Sequence, residues 1–219
     1  QGKGIAAPDP QADLRSTAPQ TLAREFGRAG QVAGKSRKVV SRMFLQARLG
    51  KTIKAAQVEP VIEDIFASVQ RNPHAFNGLM RCKRDNEFVY RHALAVSALM
   101  ISLARQMKLP PAQIREAGMA GLLLDVGIGH LPVDLGAYGG DYRNVPIKVF
   151  EQHVELGHRL LSTAGGLPPR VLEASLAHHE ALDGTGYPNK LKGDEIGLFP
   201  RMAAICDTYD AMVSDTAEG

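Results

Sequence analysis

Residues 86–107, Asn86-Glu87-Phe88-Val89-Tyr90-Arg91-His92-Ala93-Leu94-Ala95-Val96-Ser97-Ala98-Leu99-Met100-Ile101-Ser102-Leu103-Ala104-Arg105-Gln106-Met107, decide the fold. Val89, His92, Ala93, Val96, Leu99, Met100, Leu103 and Met107 recur at intervals of three and four, which places them on one stripe of an α-helix. One member of that stripe is a histidine, aimed where the others are apolar.

The same period recurs on both sides. Upstream, Val58, Val61, Ile62, Ile65, Phe66 and Val69 predict an amphipathic helix over 57–70, broken at Arg71-Asn72-Pro73. Residues 20–50 read as one or two helices around the glycines at 27, 30 and 34. Downstream, helices are predicted over 111–125, opened by Pro110-Pro111, and over 146–161. Two more are predicted over 168–180, opened by Pro168-Pro169, and over 200–213. No alternating β-branched segment reaches strand length and no repeat period is evident, so the fold class is all-α. The expected organisation is a flexible tail over 1–19, N-terminal accessory helices over 20–74, and a main helical domain over 75–219 whose C-terminus is truncated.

The 219 residues are 44% hydrophobic and 22% charged, which excludes a disordered chain or a coiled coil as a description of the whole. No apolar run approaches the roughly 20 residues of a membrane-spanning helix, and no signal peptide opens the chain. Two cysteines, Cys82 and Cys206, give neither a disulfide framework nor a zinc spacing, and a cytoplasmic setting is expected. The net charge of +3 hides a split. Residues 1–54 hold 11 Lys and Arg against 3 Asp and Glu, and the remainder is acidic. The expected role of this basic segment is a solvated helix face on an acidic body. It offers no base-stacking platform, so nucleic acid is not an expected partner.

Polar residues on apolar stripes carry the functional signal. His92, Asp125, His153, His178, His179 and Asp207 come from five successive predicted helices. A single buried histidine or aspartate is ordinarily a satisfied core residue. Six converging ones are expensive unless they are paired or hold a metal. Imidazole and carboxylate without thiolate suit Fe, Mn, Zn, Ni or Co better than Ca or Cu(I). Four histidines and two aspartates suffice for two metals with one bridging carboxylate, the usual device for hydrolysing phosphate esters.

The stretch His178-His179-Glu180-Ala181-Leu182-Asp183-Gly184-Thr185-Gly186-Tyr187-Pro188 resembles the HHExxDGxGYP signature of the HD-GYP family, a branch of the HD phosphohydrolases that hydrolyses cyclic di-GMP. Leu122 to Pro132 resembles the family's LLHDIGKxxxP stretch, and Arg201 to Asp215 resembles RxxxxxDxYDAMxSD. The resemblance spans roughly residues 38–215. It implies an HD-type helical bundle holding one or two divalent ions, Fe or Mn. The ligands would be His92, Asp125, His153, His178, His179 and Asp207. Asp125 would bridge and orient the attacking water. One ion would take Asp125, His153, His178 and His179; the other would take His92, Asp125 and Asp207. The loop of Asp183, Gly184, Gly186, Tyr187 and Pro188 would meet substrate or partner, with Gly184 and Gly186 free to take positive φ.

The sequence departs from the family at several places. The histidine of the HD pair is Leu124, which cannot ligate, so one site lacks an imidazole. The phosphate-contacting Lys is Ile128, and the Arg after Ser214-Asp215 is Thr216. Ala137-Tyr138-Gly139-Gly140 stands near the family's Lys-Pro-Gly. The glutamate of three-metal members is Phe88, with Glu87 about 100° round the helix, so no third metal is expected. Three functions follow as expectations. The first is a cyclic di-GMP phosphodiesterase giving pGpG or GMP, with reduced activity. The second is a silent cyclic di-GMP sensor or docking domain for GGDEF-type partners. The third is a phosphohydrolase of another nucleotide.

Overall fold

The computed structural model of the protein describes residues 15–82, 88–139 and 141–215. Glu87, Gly140, Thr216 and most of the expected tail lie outside them, as does the Cys82 side chain. Helices α1 (Leu22–Arg48), α2 (Ala55–Arg71), α3 (Ala75–Cys82) and α4 (Phe88–Gln106) are followed by α5 (Pro111–Leu123). Then come α6 (Ile147–Phe150), α7 (His153–Ala164), α8 (Pro169–Ala177) and α9 (Leu198–Asp215). Short 3₁₀ turns at Val126–His130, Leu135–Tyr138 and Tyr142–Asn144 link α5 to α6. There is no strand among the described residues, as expected of an all-α chain. No helix among them is long and apolar enough to cross a membrane.

Helix α1 is continuous through Gly27, Gly30 and Gly34, contrary to the expected interruption. Each glycine costs a helix roughly 1 kcal/mol relative to alanine. Burial of Ala29, Val32, Ala33, Val40 and Met43 outweighs that cost, at about 1.5–3 kcal/mol for each large apolar side chain. On its outer face Arg24, Lys38, Arg42 and Arg48 are exposed, while Lys35 reaches Asp64 at 2.6 Å.

A buried ion pair locks α1 to α2. Glu25 Oε2 accepts from Arg71 Nε at 2.6 Å, and Glu25 Oε1 accepts from Ser68 Oγ at 2.7 Å and Arg71 Nη2 at 3.0 Å. Arg71 Nη1 donates to the Ser16 carbonyl at 2.7 Å. Both charged side chains are fully buried. Helices α1 to α3 share one apolar core with the rest: Val32 and Val40 belong to the same cluster as Leu123, Val171 and Met202. Helix α4 lies at the centre of this arrangement, against α5, α9, α2, α3 and α1. Ser97 Oγ donates to the Gly118 carbonyl at 2.8 Å, fixing α4 against α5.

Two boundaries differ from expectation at places that matter. The helix expected over 146–161 is split at Glu151-Gln152, because His153 Nδ1 takes the Phe150 carbonyl at 2.6 Å. His153 thereby begins α7. The helix expected to end at 180 stops at Ala177. His178 then caps it, its Nδ1 donating to the Ala174 and Ser175 carbonyls at 3.1 and 3.2 Å.

Candidate metal centre

His92 projects from the first turn of α4, Asp125 follows α5, His153 opens α7, His178 and His179 follow α8, and Asp207 lies in α9. The structure brings all six together. Ligand atoms of His153, His178 and His179 lie within 4.8 Å of one another, and so do those of His92, Asp125 and Asp207. Asp125 joins the two triads. Its Oδ1 is 3.3 Å from His153 Nε2 and 3.5 Å from His178 Nε2, and its Oδ2 is 3.3 Å from His92 Nε2.

Backbone packing sets this geometry. A Cβ on Gly127 would overlap the His153 carbonyl oxygen and the Gly157 amide nitrogen. Only glycine permits the turn after Asp125 to rest directly on α7.

The two triads differ in their protons. His153 and His178 each spend Nδ1–H on a backbone carbonyl, which turns Nε2 of both rings toward Asp125. These nitrogens face each other at 3.4 Å, and Asp125 Oδ1 beside them is buried with no hydrogen-bond partner. Burial pushes the Asp125 carboxyl up, but contacts with His153, His178 and His92 outweigh it and hold it well below the usual carboxylate range. Three potential ligand atoms thus converge on one point. A cation is the group whose chemistry completes such a set. His179 is kept neutral: burial, then the neighbouring His178 and His153, lower its pKa to about 3.

The other triad supplies its own cation. Burial opposes charge on His92, yet Tyr142 and hydrogen bonds with Asp125, Asp207 and Asp210 outweigh it and raise its pKa well above the ordinary value. His92 Nε2 meets Asp207 Oδ1 at 2.9 Å, and Nδ1 donates to Asp210 Oδ2 at 2.8 Å. Asp210, one turn after Asp207, escaped the sequence reading. Its signal was the i, i+3 spacing of two carboxylates on one helix face.

Leu124, where the family has histidine, is buried in the apolar core. Ile128 is buried too and does not line the cavity over the triads. That cavity has a volume of about 350 Å³ and is walled by Phe88, Arg91, Tyr142, Arg143, Val145 and Phe150, with His92, Asp125, His179 and Asp207 on its floor.

The loop after His179 is held from within. Glu180 accepts from the amides of Asn189 and Leu191 at 2.6 and 2.9 Å, and Tyr187 stacks on His179 with centroids 4.8 Å apart. Gly184 has φ of 81°, as expected. Gly186 does not have a positive φ; its need is space, since a Cβ there would overlap the Ala181 amide. Asp183 is exposed and closes its own turn, accepting from Thr185 N and Oγ1 at 2.9 and 2.7 Å. Pro188 follows a cis peptide bond.

The HD domain profile matches residues 70–218. The chain belongs to the HD domain family. Its HHExxDGxGYP signature and its relatives place it in the HD-GYP branch. It is 39% identical over 200 residues to the cyclic di-GMP phosphodiesterase PA4108 of Pseudomonas aeruginosa, covering 91% of this chain and 48% of that protein. It is 33% identical over 132 residues to a cyclic di-GMP phosphodiesterase of Thermotoga maritima, covering 60% of this chain and 36% of that one. This HD-GYP chain therefore spans less than half the length of these curated relatives. Its fold is similar to that of Bd1817, an HDG"Y"P protein from Bdellovibrio bacteriovorus, with a TM-score of 0.70 at 16% identity over 94% of this chain and 64% of that one.

Proposed function

We propose that this chain is a metal-dependent phosphodiesterase that opens cyclic di-GMP to pGpG or GMP. The observation that carries the reading is the convergence of His153 Nε2 and His178 Nε2 on a buried Asp125 Oδ1 that has no hydrogen-bond partner. The names of the relatives supply the substrate class. His153, His178, His179 and Asp125 would hold one divalent ion. His92, Asp207 and the second oxygen of Asp125 would hold another, more weakly because Leu124 supplies no ligand. Fe or Mn suits this donor set. The chemistry supplied by such ions is Lewis-acidic, namely activation of water and neutralisation of charge on a phosphodiester oxygen.

The protein's own groups do the rest. Asp125 stands between the triads and can serve both. Asp210 accepts from His92 Nδ1–H and so fixes the ring with Nε2 turned toward Asp125 and Asp207. Tyr187 covers one face of His179 and keeps bulk water from it. The cavity over the triads offers room for a phosphodiester between aromatic side chains and the guanidinium groups of Arg91 and Arg143. A cytoplasmic location goes with this reading. Burial of Leu124 favours a second reading, a domain that binds cyclic di-GMP without cleaving it or docks a GGDEF-type partner. A phosphohydrolase of another nucleotide would use the same centre.

The test is turnover of cyclic di-GMP followed by chromatography, with Fe(II) or Mn(II) supplied anaerobically. Product formed by the natural chain and abolished in Asp125→Ala supports the phosphodiesterase. Binding without turnover moves the assignment to the second reading.

A further inference from the structure

The outer face of α1 carries an arrangement that the metal centre does not use. Lys38, Arg42, Leu45 and Leu49 follow one another at i, i+4, i+7 and i+11, so they share one stripe running to the residue that caps the helix. Lys38 and Arg42 are exposed. Leu45 is 55% exposed and Leu49 69%, more than any other large apolar side chain among the described residues. Gly50, with φ of 79°, then turns the chain. The Lys51 amide donates to the Gln46 carbonyl at 3.0 Å, which keeps the exposed Lys51 at the same end as the two leucines.

No acid of its own helix dilutes this stripe. Glu25, the sole acid of α1, is fully buried against Arg71. The sequence holds no Asp or Glu from 26 to 58. Asp64, which packs toward α1 from α2, is taken by Lys35 at 2.6 Å and faces Arg15 at 3.8 Å. Lys38 and Arg42 thus keep their positive charge for a partner.

We infer that this stripe is a docking surface for an anionic lipid bilayer. Lys38, Arg42 and Lys51 meet the phosphate headgroups, and Leu45 and Leu49 enter the headgroup layer. A lone exposed leucine needs no explanation. Two on one stripe, continuous with cations, are the pair of features that holds a helix in a membrane surface. The long Lys and Arg stems let their charges stay at phosphate level while the leucines go deeper. Nucleic acid would use the cations but leave the leucines in water, and the stripe offers no aromatic ring to a base. The charge balance also sets an orientation. Residues 55–219 carry 15 Lys and Arg against 20 Asp and Glu, so the same membrane repels the rest of the chain. The opposite face of α1 stays in the core, so docking needs no rearrangement.

The experiment is co-sedimentation of the chain with vesicles of phosphatidylglycerol and phosphatidylcholine in equal parts, and with phosphatidylcholine alone. Binding to the anionic vesicles is expected to be roughly tenfold or more tighter than to the neutral ones. About 1 M salt should release most of it. The double variant Lys38→Gln with Arg42→Gln should lose roughly tenfold in affinity. Leu45→Ser with Leu49→Ser, at unchanged charge, should lose a similar factor. All these side chains are exposed and far from the ligand set, so both variants should keep the Tm and metal content of the natural chain. No binding to anionic vesicles, equal binding to neutral ones, or leucine variants that bind like the natural chain would overturn the inference. So would duplex DNA that competes the chain off anionic vesicles without loss of affinity in the leucine variant. None of these readouts depends on turnover, so they stand apart from the phosphodiesterase reading.

Discussion

The buried charged clusters around Glu25 and Asp125 are built in opposite ways. Around Glu25, every acceptor meets a donor: Ser68 and Arg71 fill both carboxylate oxygens, and Arg71 also donates to the Ser16 carbonyl. Around Asp125, the Nε2 atoms of His153 and His178 converge on an Oδ1 that has no hydrogen-bond partner. Both clusters carry the desolvation cost of burial. The lesson is that burial of charge alone does not mark a site; several ligand atoms converging on an unpartnered carboxylate oxygen do.

Breaking the first cluster should give the larger effect on stability. Glu25→Ala leaves the Arg71 cation buried without its partner, a change that costs about 3–5 kcal/mol. The expected outcome is a fall in Tm on the order of 10 °C by calorimetry, equal with and without Mn(II). A fall seen only in the metal-loaded protein would mean the two clusters are coupled. Asp210→Asn tests the second cluster from outside. It removes the carboxylate that orients His92 and should weaken metal affinity about 10- to 100-fold with little change in metal-free Tm. Unchanged affinity in a metal titration would show that the His92 triad does not bind.

Leu124→His sharpens the contrast further. It puts an imidazole where the core is apolar, so metal-free stability should drop by about 1–3 kcal/mol. Metal stoichiometry measured by plasma mass spectrometry should rise toward two ions per chain. No gain would place the ring out of reach of Asp125 and Asp207.

Much of this was legible in the sequence. The stripe from Val89 to Met107 announced α4, and His92, Asp125, His153, His178, His179 and Asp207 stood out as polar residues on apolar faces. Other features depend on contacts that periodicity does not report. Continuity of α1 through three glycines comes from its burial against α2 and α3. At the break before His153 its imidazole takes the Phe150 carbonyl at the end of α6, and after Ala177 the His178 imidazole turns back on the carbonyls of Ala174 and Ser175. Asp210 was within reach and was missed because attention fell on Asp207 alone.

The contact at Gly127 has a mechanical consequence. Side chains that mediate between two elements act as springs, since rotamer changes absorb small movements. Between the turn after Asp125 and the start of α7 there is no such cushion; backbone rests on backbone. A displacement of α7 along its axis is therefore delivered to Asp125 undamped, and the separation between Asp125 and His153 behaves as a rigid link within an otherwise compliant bundle.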